Sequence, residues 1–327
     1  MTTKCYGLNS RRIGIIGAGI SGLVCARKLT EEGHRVVVFE KSRSLSGRCA
    51  SQKFGSHVVD KGVQYFTLKD EEVRKSVEQI AGMQLRKIVA PIFESDTGVV
   101  YRPGQERFYM IGGNNQLGKL LSEGIEVRHE LEVQPLVPSG SKWQIGSEQF
   151  DVVISSAPWP QTAALIGCDP GEVIYEPNLT ALLEYSSPWC GSSYAKIDLK
   201  GRDVLAWVAC ENAKEGRIQG DDRSVYIVQA SSLYSRENFE TDSAVWIQDL
   251  QRRVEKDWGL DPRMRGATFG HRWKYARRAE GPVNPLPIKS GIFYCGDSIT
   301  ESRVESVWKS GVQTAEKVLE ALVRTNG

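Results

Sequence analysis

The sequence predicts an α/β fold: a parallel sheet wound with helices, into which a second part with a mixed sheet and α+β character is inserted. Three observations predict it. Near the N-terminus a short apolar run enters a glycine-rich turn and then an amphipathic helix. Near the C-terminus another apolar run ends in Gly-Asp before a long helical stretch, and strand-like runs crowd the region between. With about 150 residues per domain as a prior, 327 residues leave room for two cores.

The first unit begins with Arg12-Ile13-Gly14-Ile15-Ile16, an apolar run suited to a buried parallel strand. Gly17-Ala18-Gly19-Ile20-Ser21-Gly22 follows, then Leu23 to Glu32, where Leu23, Ala26 and Leu29 repeat at helical spacing. In such a turn Gly17 permits the tight bend, Gly19 admits a pyrophosphate close to the backbone, and Gly22 lets helix and strand pack closely. The helix N-terminus offers free N–H groups and partial positive charge to phosphates. Gly33 ends the helix, Arg35-Val36-Val37-Val38-Phe39 forms the second strand, and Glu40 closes it. A carboxylate there accepts hydrogen bonds from ribose hydroxyls and repels a 2′-phosphate. A lone glycine-rich turn is a weak signal; strand, turn, helix, strand and acid together predict a Rossmann-like dinucleotide site.

The far end narrows the dinucleotide. Gly291-Ile292-Phe293-Tyr294-Cys295 reads as a buried strand, Gly296-Asp297 follows, and Val304 to Val323 is helical. A carboxylate at that strand end suits the ribityl hydroxyls of FAD, with Gly296 allowing close approach to the diphosphate. The positive end of the following helix would stabilise charge on a reduced flavin by about 0.3–1 kcal/mol.

Between these ends, Ile125-Glu126-Val127 and Trp143-Gln144-Ile145 alternate as short strands, and Asp151-Val152-Val153-Ile154 reads as a buried one, together a small meander returning to the first part. Asp70 to Ala81 is helical. Val204 to Ala209 and Val225 to Val228 are strand-like. The expected division is a discontinuous FAD-binding domain over 1–67, 113–165 and 266–327, with a substrate domain over 68–112 and 166–265.

Composition excludes several classes. The chain is 40% hydrophobic and 25% charged with a net charge of +2, which points to a folded globular protein without a polyanion-binding surface. The basic run His271-Arg272-Trp273-Lys274-Tyr275-Ala276-Arg277-Arg278 reads as a solvated edge or small-anion pocket rather than a nucleic-acid grip. No apolar run reaches the roughly 18 residues that span a bilayer, and Met1 to Arg12 lacks a signal-like apolar segment; a cytoplasmic location without membrane partners is expected. Cys5, Cys25, Cys49, Cys168, Cys190, Cys210 and Cys295 form no C-x-x-C pair, which argues for reduced thiols and against a redox-disulfide enzyme. His34, His57, His129 and His271 have no ligand-like spacing, so no metal is expected.

The motifs together resemble the renalase-like branch of the flavin amine oxidoreductase superfamily. The resemblance runs nearly end to end: the Gly17–Gly22 turn, Ser46-Gly47-Arg48, Gly62-Val63-Gln64-Tyr65-Phe66-Thr67, Ser156-Ala157-Pro158-Trp159-Pro160-Gln161, His271-Arg272-Trp273-Lys274-Tyr275-Ala276, and Gly296-Asp297 followed by Arg303-Val304-Glu305. It implies FAD contacts at Gly17, Ala18, Gly19, Ser21, Gly22, Glu40, Lys41, Arg48, Gln64, Tyr65, Val133, Gly296, Asp297 and Val304. It implies substrate contacts at Tyr65, Phe66 and Arg303. Enzymes of this kind take a hydride from dihydro-NAD(P) isomers reduced at the wrong ring position and pass the electrons to O2, giving hydrogen peroxide. Such a reaction needs orientation more than acid/base residues, and the sequence offers no nucleophile or triad as a catalytic group. A second glycine-rich nucleotide unit is also missing, so the small-molecule substrate would meet the flavin directly. Two departures stand out: Ser46 occupies a glycine position, and Ser232-Leu233-Tyr234-Ser235 lies where a tryptophan is usual. Two other readings remain, an amine oxidase or desaturase and a non-catalytic FAD-binding redox protein.

Overall fold

The computed structural model describes residues 10–324 apart from 172, 190, 202, 219, 221 and 280–287. Cys5 and Cys190 lie outside the described residues. Of the other cysteines, Cys25, Cys49, Cys210 and Cys295 are buried free thiols.

The first strand, Arg12–Ile16 (β1), and the second, Arg35–Phe39 (β2), are the centre of a five-stranded sheet. Val152–Ser155 pairs with the other side of β1, Ile292–Tyr294 lies beyond it, and Glu126–Arg128 extends the β2 side. Every pairing is parallel. Ile13, Ile15 and Val38 have no exposed surface, as expected for strands covered on both faces. The helix Ile20–Glu31 (α1) lies on one face beside the C-terminal helix Val304–Arg324. Leu23, Ala26 and Leu29 share one core there with Trp308, Ala315 and Val318. Glu126–Arg128 is therefore a strand of the main sheet. The meander is formed by Val137–Ser139, Lys142–Ile145 and Glu148–Phe150.

A six-stranded mixed sheet forms the second part, in the order Arg265–Arg278, Tyr175–Tyr185, Ser224–Ala230, Leu205–Cys210, Ala195–Ile197, Ile92–Glu94. Its pairs are antiparallel except the last. The helix Ser243–Trp258 covers one face through Trp246, Leu250 and Val254. On the opposite face Leu182, Val225 and Ile227 pack against Phe54 and Val59 of the hairpin Ser51–Phe54/His57–Asp60.

Two segments sit elsewhere than the sequence suggested. Residues 266–278, expected with the nucleotide-binding part, run in the six-stranded sheet, paired along Tyr175–Tyr185. The helix Glu71–Ala81, expected in the substrate part, buries Val73, Val77 and Ala81 in the same core as α1.

Four buried charges join the two parts. Asp60 ends the hairpin; Glu211, Lys214 and Arg217 follow the strand Leu205–Cys210. Lys214 lies 2.8 Å from Asp60 and 3.0 Å from Glu211, and Arg217 lies 2.7 Å and 2.5 Å from the same two carboxylates. Burial raises the Asp60 pKa, but the two cations outweigh it and hold the carboxyl below its ordinary value. Two charges of each sign leave the cluster neutral.

Candidate active site

The carboxyl edge of the five-stranded sheet carries the residues with chemical meaning, beginning where β1 ends. Gly17 has φ +99°, a conformation that disfavours any side chain, and its N–H donates to the Phe39 carbonyl at 2.8 Å. A Cβ on Gly22 would stand 2.4 Å from the Gly17 carbonyl and 2.5 Å from Ser156 Oγ, so the helix can approach the turn only with glycine here. A Cβ on Gly19, by contrast, would meet no atom within 4 Å. The turn is thus closed behind and open in front, with α1 starting at that opening.

Glu40, buried at the end of β2, faces the turn. One carboxylate oxygen accepts from Ala18 N–H at 2.8 Å, and the other from the Ser42 N–H and hydroxyl, both at 2.8 Å. Ser21 is buried at the start of α1, and Lys41 is exposed. Val133 packs with Ile16, Val37 and Phe39 beside this strand end.

The opposite end of the edge is formed by Ile292–Tyr294 and the residues after it. Gly296 has φ +143° and donates its N–H to Ser310 Oγ at 3.0 Å. Asp297 is 1% exposed. Its carboxylate accepts from Arg48 Nη1 at 2.5 Å, Tyr175 Oη at 2.8 Å and Ser302 Oγ at 2.5 Å. Burial raises its pKa, but the Arg48 guanidinium and the two hydroxyls outweigh burial and hold it below the carboxylate range. Burial and the neighbouring Asp297 charge push the Tyr175 hydroxyl up. Tyr175 and Ser302 carried no sequence signal. Tyr175 comes from the other sheet, and a strand tyrosine looks like core.

Arg48 is the hinge of this arrangement, with Nη1 also donating to the Ala276 carbonyl at 3.2 Å. Its loop is fixed by Ser46, whose N–H donates to the Ala18 carbonyl and whose hydroxyl donates to Asn115 O, both at 2.8 Å. Ser46 has φ +83°, the left-handed conformation that a glycine adopts without strain. The sequence departure at Ser46 thus keeps the glycine backbone and adds a buried hydrogen bond.

The stretch 61–65 lies between the Arg48 loop and the six-stranded sheet. A Cβ on Gly62 would fall 2.0 Å from the Arg48 carbonyl. Trp273 Nε1 donates to the Lys61 carbonyl at 3.1 Å, Gln229 Nε2 to Gly62 O at 2.8 Å, and the Tyr194 hydroxyl to Gln64 O at 3.2 Å. The buried Gln64 amide donates to the Asp60 and Gly62 carbonyls, while its Oε1 has no protein partner. His271 lies against the Trp273 ring, centroids 4.3 Å apart. Burial, helped by Lys61, lowers its pKa to about 4, so it is neutral at physiological pH.

Three residues tied to substrate by resemblance lie in different surroundings. Tyr65 is half-buried against Tyr194 and Trp207. Phe66 is a core residue, 3% exposed and stacked on Phe108 at 6.5 Å, where packing leaves its ring no face for a substrate. Arg303 is half exposed at a polar recess with Thr67, Lys69 and Ser306, paired with Glu301 at 3.1 Å. Val304 is buried one residue further on.

Residues 15–80 match the NAD(P)-binding Rossmann-like domain family. Among proteins of known function, 43 residues are 51% identical to 4-hydroxybenzoate brominase (decarboxylating) of Marinomonas mediterranea, covering 13% of this chain and 8% of that protein. Over 47 residues the chain is 45% identical to flavin-containing monooxygenase FMO GS-OX-like 6 of Arabidopsis thaliana, 14% of this chain and 10% of the relative. A stretch of 90 residues is 31% identical to 4,4'-diapophytoene desaturase of Staphylococcus haemolyticus, 26% of this chain and 18% of the relative. The matches thus span a small part of each relative's length. The whole fold is shared more widely. A putative protoporphyrinogen oxidase from Exiguobacterium sp. 255-15 superposes with TM-score 0.79 at 13% identity, covering 95% of this chain and 99% of that one. Reduced UDP-galactopyranose mutase superposes at 0.75 with 11% identity over 95% and 96%. Putrescine oxidase bound to putrescine superposes at 0.69 with 14% identity over 95% and 99%. Among the described residues no helix is long and apolar enough to cross a membrane.

Proposed function

We propose that this protein is an FAD-dependent oxidoreductase whose cofactor lies along the carboxyl edge of the five-stranded sheet. The observation that carries the reading is the bond between Arg48 and Asp297, 249 residues apart in sequence, which closes a line of polar groups running from Glu40 past the open turn at Gly19. The residues fit the group. Glu40 would accept from the adenosine ribose, the backbone at Gly19 would face the diphosphate, and Arg48 and Asp297 would meet the diphosphate and ribityl chain. The unpartnered Gln64 Oε1 is a buried acceptor in the same region. When bound, FAD supplies two-electron redox chemistry that no side chain here possesses. The protein's own part is to hold substrate in register and exclude water. His271, neutral and half-buried, adds no charge to that space.

The substrate we propose is a dihydropyridine nucleotide reduced at the wrong ring position, with O2 as final electron acceptor. Support comes from the two narrowest motifs, the Gly62–Thr67 stretch and His271–Ala276, which meet where Trp273 lies against Gly62 and donates to the carbonyl of the preceding Lys61. Oxidation of an amine, or desaturation, is the second reading; the aromatic grouping of Tyr65, Tyr194 and Trp207 favours it. Anaerobic mixing of the FAD-loaded protein with dihydronicotinamide isomers and with amines separates them. Bleaching of the flavin by a misreduced isomer is expected; bleaching by an amine alone overturns the first reading.

A further inference from the structure

Arg107 is a charge without a counter-charge. It is 6% exposed, and among the described residues no carboxylate pairs with it. Its guanidinium donates from Nη1 to the Gln105 carbonyl at 3.2 Å, and from Nη2 to the carbonyls of Tyr101 at 2.7 Å and Arg102 at 3.3 Å; Nε has no partner. Those carbonyls satisfy hydrogen bonds but leave a full positive charge in a poorly solvated place. Such a charge is costly unless an anion completes it. The buried acids Asp60 and Glu211 are already committed to Lys214 and Arg217.

The surroundings define what would complete it. The guanidinium carbon sits 5.7 Å from the centroid of the Tyr65 ring, and Tyr65 packs at 5.8 Å against Trp207. Trp207 Nε1 is a second buried donor without a partner. Tyr65 and Tyr101 are both half-buried, so the cluster reaches the surface beside the stretch 61–65. A planar fork of N–H groups matches a carboxylate, and tyrosine and tryptophan walls match a flat ring.

We infer that Arg107, with Trp207 and Tyr65, forms a recognition subsite for the carboxylate of a planar, ring-bearing small molecule. This goes beyond the proposed function and does not rest on it: the ring of a dihydropyridine nucleotide carries a carboxamide, so the carboxylate belongs to a different ligand. The subsite selects anions and so weighs against the amine reading of the neighbouring aromatic grouping: a protonated amine brought to Tyr65 would face an unneutralised guanidinium and be repelled.

Calorimetric titration with benzoate, benzamide and benzylamine tests the inference, on the protein with and without FAD. Benzoate is expected to bind at least about tenfold more tightly than benzylamine. R107Q should remove that preference, R107K should restore part of it, and FAD affinity should stay unchanged in both. A purely structural role for Arg107 would move the melting temperature but not the order of the probes. If R107Q does not fold, W207F replaces it, with benzoate expected to weaken about threefold as one neutral donor is lost. Equal binding of benzoate and benzylamine, or full benzoate affinity in R107Q, overturns the subsite. Because the titration requires neither turnover nor cofactor, a chain that binds benzoate through Arg107 but takes up no FAD contradicts the proposed function and leaves the subsite standing.

Discussion

Glu40 and Asp297 stand at the ends of two strands of one sheet, yet they are held in opposite ways. Glu40 is held by its own neighbourhood: a backbone N–H 22 residues back across the βαβ unit, and a backbone N–H and hydroxyl two residues on. Asp297 is held mainly by remote side chains, a guanidinium 249 residues away and a phenol 122 residues away on the other sheet, with one hydroxyl five residues on. The first carboxylate is oriented by contacts within its own βαβ unit. The second depends on the two parts being assembled, so it couples the site to the joint between sheets.

Mutations that break this contrast should rank accordingly. Arg48→Ala strips Asp297 of its counter-charge. Since Arg48 is itself 28% exposed, the expected cost is about 2–3 kcal/mol in chemical denaturation. Arg48→Lys should recover part of it.

Acid titration sharpens the contrast further. Asp297 has a depressed folded pKa, so its stabilisation is full above the ordinary carboxylate value and is lost as pH falls through the folded value. His271 acts in a higher window. Its folded pKa is lowered from 6.5 to about 4, the unfolded chain therefore binds the proton first, and stability declines as pH falls between these values. Melting curves against pH should show Asp297→Asn flattening the lower window and His271→Gln the upper one.

Smaller effects are expected near the glycine turn. Ser46→Ala keeps the left-handed backbone but loses the bond to Asn115, a loss of about 1 kcal/mol in thermal melts, while Ser46→Gly relieves strain and should be near neutral. Glu40→Gln still accepts from Ala18 but turns an amide NH2 toward the Ser42 N–H, a loss of about 1 kcal/mol. A flavin fluorescence titration should nonetheless show FAD affinity falling about tenfold.

The same contrast explains what could be read from sequence. β1, the Gly17–Gly22 turn, α1, β2 and Glu40 form a contiguous unit whose signals are local, and each appears where the pattern put it. Asp297 was legible as a carboxylate after a strand, but its pairing with Arg48 was not, because no local pattern encodes a contact across 249 residues. Read alone, Arg48 resembled any cation of a basic loop. Residues 266–278 form the exposed edge strand of the six-stranded sheet, as their cations suggest, but which sheet they join is set by pairing along Tyr175–Tyr185, which no local pattern encodes. Phe66 carries the same apolar signal in a core as in a substrate wall. Arg107, between a surface glutamate and buried Phe108, gave no sign that its charge would be enclosed.

The central claim is that one FAD spans both ends of the sheet edge. A flavin fluorescence titration of the wild-type chain, Glu40→Ala and Asp297→Ala tests it most directly. The account predicts one FAD per wild-type chain and at least about tenfold weaker binding in each variant, although the two carboxylates belong to strands at different places in the sheet. A wild-type chain that takes up no FAD, or variants that bind it as tightly as the wild type, would contradict the account.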